Sequence, residues 1–132
     1  MIFADASAWI DHFRGVPSPV AGKLRELLAT DAIHVGDLIL MEVLRGTRND
    51  AEAAVLRSAM LLCEYHEMVP PGLAVAAVRS YRRLRDLGYT IRSPIDCLVA
   101  TFCIATGAEL LHNDRDFDPF ERHLGRRTVA VA

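Results

Sequence analysis

The chain has 132 residues, 52% of them hydrophobic, and a formal net charge of −2. That length argues for one domain over residues 1–132, and the hydrophobic share excludes a disordered tail protein. With a charge so near neutral, a nucleic-acid partner would have to meet a local basic patch, and no apolar run approaches the ~20 residues of a membrane span.

Met1 to Asp5 reads as a short buried strand that ends on an acid. Ser7 to Phe13 reads as a short helix ended by Gly15. Ser18-Pro19 is a cap followed by proline at the first helical position, opening a helix to about Ala29. Ala32 to Val35 is a second strand, and Asp37 to Arg45 a helix stopped by Gly46. Asn49-Asp50 starts a helix that is expected to run to about Glu64, with a third strand at His66 to Val69 before Pro70-Pro71. Leu73 to Leu87 is a helix closed by Gly88, and Ser93-Pro94 opens another that ends near Gly107. Ala108 to His112 is a strand, Asp116 to Leu124 a turn of helix, and Thr128 to Val131 a last strand. Strands alternating with helices predict right-handed crossovers, a mainly parallel sheet and an α/β/α sandwich.

Cys63, Cys97 and Cys103 form no C-x-x-C pair and read as small buried hydrophobes in a reducing compartment. Asp5 and Asp11 interrupt the N-terminal apolar segment, so no secretory signal is visible and the cytoplasm is the expected location. "HEMVP" at His66 lacks the second histidine of a zinc helix motif, so zinc is not expected there. "DRDFD" has the first spacings of a calcium loop, but Pro119 and Gly125 occupy positions that need glycine and glutamate.

In parallel sheets of this kind, chemistry sits outside the carboxyl ends of the strands. Asp5 ends the first strand, and Asp114 follows the strand at Leu110-Leu111-His112. Glu42 lies one turn from Leu38, beside an apolar stripe of Leu38, Ile39 and Val43. Asp96 sits at the start of the helix opened by Ser93-Pro94. Each acid has a structural explanation of its own. Asp5 could cap the following helix, Ser93-x-x-Asp96 matches a capping box, Glu42 could pair with Arg45, and Asp114 could close a turn. None of these explains four acids from four segments at one edge. Converging carboxylates raise one another's pKa, and a divalent cation removes that conflict. A site of carboxylates alone points to Mg²⁺, or Mn²⁺ in its place, rather than zinc.

Together, "FADASAWID", "LMEVLRG" and "SPIDCLVATFCIATGAELLHNDRDF" resemble the ordered motifs of PIN-domain ribonucleases, most of all VapC toxins of bacterial toxin–antitoxin pairs. The resemblance implies Mg²⁺-dependent cleavage of RNA by an acidic quartet of Asp5, Glu42, Asp96 and Asp114. It adds Asp116 as a further catalytic acid and Ser7 as a support for the metal site. The threonine usual before that serine is replaced by Ala6, which touches no ligand. It also implies a VapB-like antitoxin and a homodimer as partners.

Candidate RNA contacts are Arg14, Arg45, Arg48, Arg92 and Arg115, each near a motif and each equally readable as solvated surface charge. Arg79, Arg82, Arg83 and Arg85 crowd one helix and read rather as its wet face. Three alternatives stand beside the toxin: a PIN-type nuclease in RNA maturation, a phosphorylated receiver domain, and a non-catalytic binding module. The receiver would need a lysine at the site, and Lys23, the only lysine, lies in an early helix.

Overall fold

The structure is a computed structural model and describes residues 1–131. Among the described residues, five short strands form one sheet: β1 (Ile2–Ala4), β2 (Ile33–Gly36), β3 (Glu64–His66), β4 (Glu109–Leu111) and β5 (Arg127–Thr128). Their order is β3-β2-β1-β4-β5, and all four pairings are parallel. β1 is therefore central, paired on one side with β2 and on the other with β4.

Seven helices of the described residues connect and cover the strands: α1 (Ala6–Arg14), α2 (Pro19–Ala29), α3 (Asp37–Arg45), α4 (Asp50–Met60), α5 (Leu73–Asp86), α6 (Pro94–Thr106) and α7 (Asp118–Leu124). α1 packs on α2 and α3, and α3 packs on α4; α5 packs on α6 and α7. The chain winds from β1 outward to β3, then crosses back to β4 and β5. With right-handed crossovers, that reversal puts α1–α4 on one face of the sheet and α5–α7 on the other. Phe3, Trp9, Leu24, Leu84, Phe117 and Phe120 are among the fully buried side chains of the core on the two faces.

The expected helix starts carry the expected caps. Ser18 Oγ accepts from the Ala21 amide at 3.1 Å, Asn49 Oδ1 from Glu52 at 2.9 Å, and Ser93 Oγ from Asp96 at 3.1 Å. α6 stops at Gly107, whose φ of 70° lies in the left-handed region that glycine enters without a Cβ clash.

Three stretches of the chain differ from expectation. α4 ends at Met60, not near Glu64, and β3 starts at Glu64, not His66. The apolar residues that extend the helical pattern mislead here, because Leu62 is 88% exposed. Residues 64–66 instead pair with β2, His34 opposite Glu64 and Gly36 opposite His66. Met68, expected in the strand, leaves it and drives its side chain onto Gly36, where a Cβ would overlap the sulfur. Its amide donates to Asp37 Oδ1 at 3.0 Å, which fixes the start of α3 against the end of β3. The helix expected at Asp116–Leu124 is split into a 3₁₀ turn, Arg115–Phe117, and α7, with Pro119 in the first turn of α7. The last strand is Arg127–Thr128 rather than Thr128–Val131, though the Val129 amide still donates to Leu110 O at 3.1 Å.

Candidate active site

The carboxyl edge of the sheet collects the acids. Asp5 follows β1 directly, and its amide donates to Leu111 O at 2.8 Å, so the ends of β1 and β4 are locked side by side. β4 continues through His112 and Asn113 to Asp114, and α6 starts with Asp96 in its first turn. α3 begins immediately after β2 and carries Glu42. Asp5, Glu42 and Asp96 each place a carboxylate oxygen within 4.8 Å of the other two. Asp96, Asp114 and Asp116 form a second such triad. Asp96 belongs to both, and it joins the five acids into one cluster.

The capping roles prove compatible with the cluster and do not replace it. Asp5 Oδ2 accepts from the Ser7 amide at 3.3 Å and from Ser7 Oγ at 3.0 Å, capping α1. The other oxygen, Oδ1, is buried with no hydrogen-bond partner. Asp96 donates its amide to Ser93, but its carboxylate returns no bond to Ser93 among the described contacts, so the box is half made. Asp114 Oδ1 accepts from the Asp116 amide at 2.9 Å and caps the 3₁₀ turn. Glu42 Oε1 is buried and without a partner, and no ion pair joins Glu42 to Arg45 among the described residues.

Two buried, unpartnered carboxylate oxygens are costly in any fold. Burial pushes the Asp5 carboxyl above its usual range, against the Ser7 bonds, and Asp114 adds to the rise. Glu42 is raised by burial and then by Asp5, which the charge of Arg45 offsets only in part. Asp96 is pushed up to about 7 by burial and by Asp5, Glu42, Asp114 and Asp116 in that order. A divalent cation would answer both defects, supplying the missing partner and the missing counter-charge. The donors are all carboxylate, which suits a hard ion such as Mg²⁺ or Mn²⁺.

Ser7 does more than cap. Its hydroxyl donates to Asp5 and accepts from the Asn113 amide at 3.3 Å, so one oxygen spans from β1's acid to the loop bearing Asp114. Beneath that loop lies Arg126, 2% exposed and absent from the sequence-based candidates. It donates to Phe117 O at 3.0 Å, sits 5.5 Å over the Phe117 ring, and reaches His112 Nε2 at 3.2 Å. A buried arginine in "GRRT" carries no local signal, since the partners just named come from the 3₁₀ turn and from the end of β4.

The arginines divide. Arg92 precedes Ser93 and Arg115 stands between Asp114 and Asp116; both are exposed at the acidic edge. Arg45 is exposed near Glu42, whereas Arg14 ends α1, about 12 Å along the helix from its start at the site. Arg48 is engaged with Glu52 at 2.9 Å. Arg79, Arg82, Arg83 and Arg85 are exposed on α5, away from its buried side at Leu73, Ala77 and Leu84.

The profile of the PIN domain family matches residues 2–122. Among curated proteins, the chain is 35% identical over 131 aligned positions to VapC ribonuclease Mb1587 of Mycobacterium bovis and to Ribonuclease VapC11 of Mycobacterium tuberculosis, covering 92% of each chain. Among solved structures, DNA-bound VapBC from Salmonella typhimurium superposes with a TM-score of 0.75 at 19% identity, covering 99% of this chain and 98% of that one. VapBC2 from Rickettsia felis, bound to a DNA fragment from its promoter, gives 0.73 at 17% identity with 98% of both chains covered. VapC20 of Mycobacterium tuberculosis, described as a Sarcin-Ricin loop cleaving toxin, gives 0.64 at 20% identity, covering 89% and 93%. At those identities the structural likeness speaks to the fold.

Proposed function

The chain belongs to the PIN domain family, and from that premise we propose that its acidic cluster is the centre of a cation-dependent endoribonuclease acting as the toxin of a VapBC-type pair. The observation that carries this reading is the Asp96 carboxylate, shared by two triads and raised to about 7 with no basic residue to neutralise it. The names of the curated relatives supply the substrate class, RNA.

Asp5, Glu42, Asp96 and Asp114 would hold the cation. Bound there, Mg²⁺ or Mn²⁺ would screen an approaching phosphodiester, activate a water and stabilise the leaving oxygen. Ser7 keeps Asp5 and the Asp114 loop in register through its two hydrogen bonds. Asp116 stands exposed at the rim, and we assign it the proton of the attacking water, since Asp96 is shared by both triads. Exposed Arg92 and Arg115 would take the flanking phosphates, with Arg45 and Arg14 further along the track. The resemblance implies products with 5′-phosphate and 3′-hydroxyl ends.

An antitoxin and a second copy of the chain are the partners this reading requires, with all of residues 1–132 acting as one nuclease unit. Apolar side chains left outside the core support them: Val55 is 68% exposed, Leu62 88% and Val75 57%. A groove of about 270 Å³ between α5 and α6, lined by Ala77, Val78, Tyr81, Ile91 and Leu98, offers a further apolar surface. Among the described residues no helix is long and apolar enough to cross a membrane. We place the protein in the cytoplasm, where RNA and an antitoxin are both at hand.

Expression of the chain in bacterial cells, followed by sequencing of RNA 5′ ends, tests the reading. New monophosphorylated ends at a small set of sites are expected, lost with Asp5→Ala and suppressed by co-expressed antitoxin. An unchanged set of ends in cells arrested by the protein would overturn it.

A further inference from the structure

A second group of ligand-type side chains lies on the sheet itself and shares no residue with the acidic cluster: His34, Glu64 and His66. Strand geometry puts them together. His34 on β2 stands opposite Glu64 on β3, and in a parallel pair such neighbours lie on one face. His66 is two residues beyond Glu64 and so shares that face. Phe3 is opposite His34 on β1 and packs edge-on against both His66 and Phe102 of α6, which identifies the face as the one α6 covers.

The three groups converge on one point. His34 Nδ1 lies 2.7 Å from His66 Nε2 and 3.4 Å from Glu64 Oε2. An imidazole nitrogen carries one proton or one lone pair. If His34 Nδ1 is protonated, it faces two acceptors and serves one of them. If His66 Nε2 carries the proton, Glu64 faces a lone pair. Three electron-pair donors thus aim at a space that one proton cannot satisfy. The His34 side chain is 18% exposed, so water has limited access, whereas Glu64 is 69% exposed and keeps an open route for an ion. Burial holds the His34 imidazole below its ordinary pKa, and a neutral ring is the form that ligates metal.

We propose that His34, Glu64 and His66 form a second cation site, for a divalent transition ion of the zinc class, that ties the edge strand β3 to β2. Two imidazoles and a carboxylate match the preferences of such an ion and not those of Mg²⁺. In a tetrahedral zinc site, neighbouring ligand atoms stand about 3.3 Å apart. The Glu64 contact already has that spacing, and the two histidine nitrogens need to part by about 0.6 Å. Three protein ligands leave a fourth position open to water. The site lies on two adjacent strands, and no short motif such as H-E-x-x-H announces it.

Titration with Zn²⁺ alone, followed by calorimetry and thermal unfolding, tests the assignment. Asp5→Asn with Asp96→Asn disables the acidic centre, and this double variant is expected to bind one Zn²⁺ still and to gain several degrees in Tm. Adding His34→Asn or His66→Asn to that background lowers the affinity at least about tenfold, given that loss of even an outer-sphere partner costs that much. Glu64→Gln, on an exposed side chain that leaves the fold intact, is expected to weaken binding as well. Co²⁺ in the double variant is expected to give the intense visible bands of a four-coordinate site, which Mg²⁺ in excess does not remove. Absence of Zn²⁺ binding by the double variant would overturn the assignment. So would an affinity unchanged by Glu64→Gln or by either histidine substitution.

Discussion

Asp96→Asn is expected to reduce RNA cleavage at least roughly a hundredfold at saturating Mg²⁺, while leaving the fold intact. Asp96 is the only acid whose carboxylate belongs to both triads, Asp5–Glu42–Asp96 and Asp96–Asp114–Asp116. Its replacement by an isosteric amide keeps the Ser93 cap, because that bond uses the Asp96 amide and not its side chain. The helix start therefore survives, and what is lost is one negative charge at the centre of the site. Initial rates on an unstructured RNA, measured across a range of Mg²⁺, check this. The half-saturating Mg²⁺ should rise along with the fall in maximal rate, since the role proposed for the residue is to hold the cation. A variant retaining more than a tenth of wild-type activity would remove Asp96 from the centre.

The same substitution is expected to stabilise the cation-free protein at alkaline pH. In the folded chain the Asp96 carboxyl is raised from 3.8 to about 7, so the fold binds a proton more tightly than the unfolded chain does. Such a group favours folding fully below pH ~4, and its contribution is lost as pH rises through about 7. Asp5 and Glu42 are raised as well and act in the same direction. Histidines 12, 34 and 112 are lowered, chiefly by burial, and pull the opposite way between pH 5 and 7. They are common to both proteins and cancel in the difference between wild type and Asp96→Asn. In EDTA, Asp96→Asn should exceed the wild type by roughly 1–3 kcal/mol at pH 8, and the gap should close towards pH 5. Mg²⁺ should reverse the order at pH 8, because a cation held by the folded wild type as proposed stabilises it by mass action. Urea unfolding at the two pH values, with and without Mg²⁺, measures all of these.

The fold was legible because its signals are local. The caps at Ser18, Asn49 and Ser93 and the stop at Gly107 stand where expected. The alternation of short strands with helices specified a parallel sheet, and the all-apolar β1 takes the central place that burial on both faces requires. The end of α4 was not legible, because Leu61 and Leu62 continue an apolar helical pattern that the chain abandons in order to pair β3 with β2. A three-residue strand is held by its neighbour's hydrogen bonds, and its own composition says little.

The site divides in the same way. Asp5, Asp96 and Asp114 could be placed on one edge because each sits next to an element boundary, and boundaries can be read; Glu42 was placed there by the helix that follows β2, and Asp116 by the resemblance alone. The PIN-domain resemblance is carried by those same boundaries, and the family match extends it over residues 2–122. The bond from the Asn113 amide to Ser7, the buried Arg126 and the meeting of His34 with His66 are contacts between segments 14 or more residues apart. Only the register of the sheet creates them. The capping roles weighed against the acids turned out to be real for Asp5 and Asp114, yet they occupy one oxygen each and leave the cluster's charge unresolved.

The central claim is that the acidic cluster cleaves RNA only with a divalent cation bound. Purified protein incubated with RNA in Mg²⁺, in EDTA, and in EDTA followed by excess Mg²⁺ or Mn²⁺ tests it most directly. Cleavage in Mg²⁺, none in EDTA, and recovery on adding back either ion is the expected result. Cleavage that persists undiminished in EDTA would contradict it.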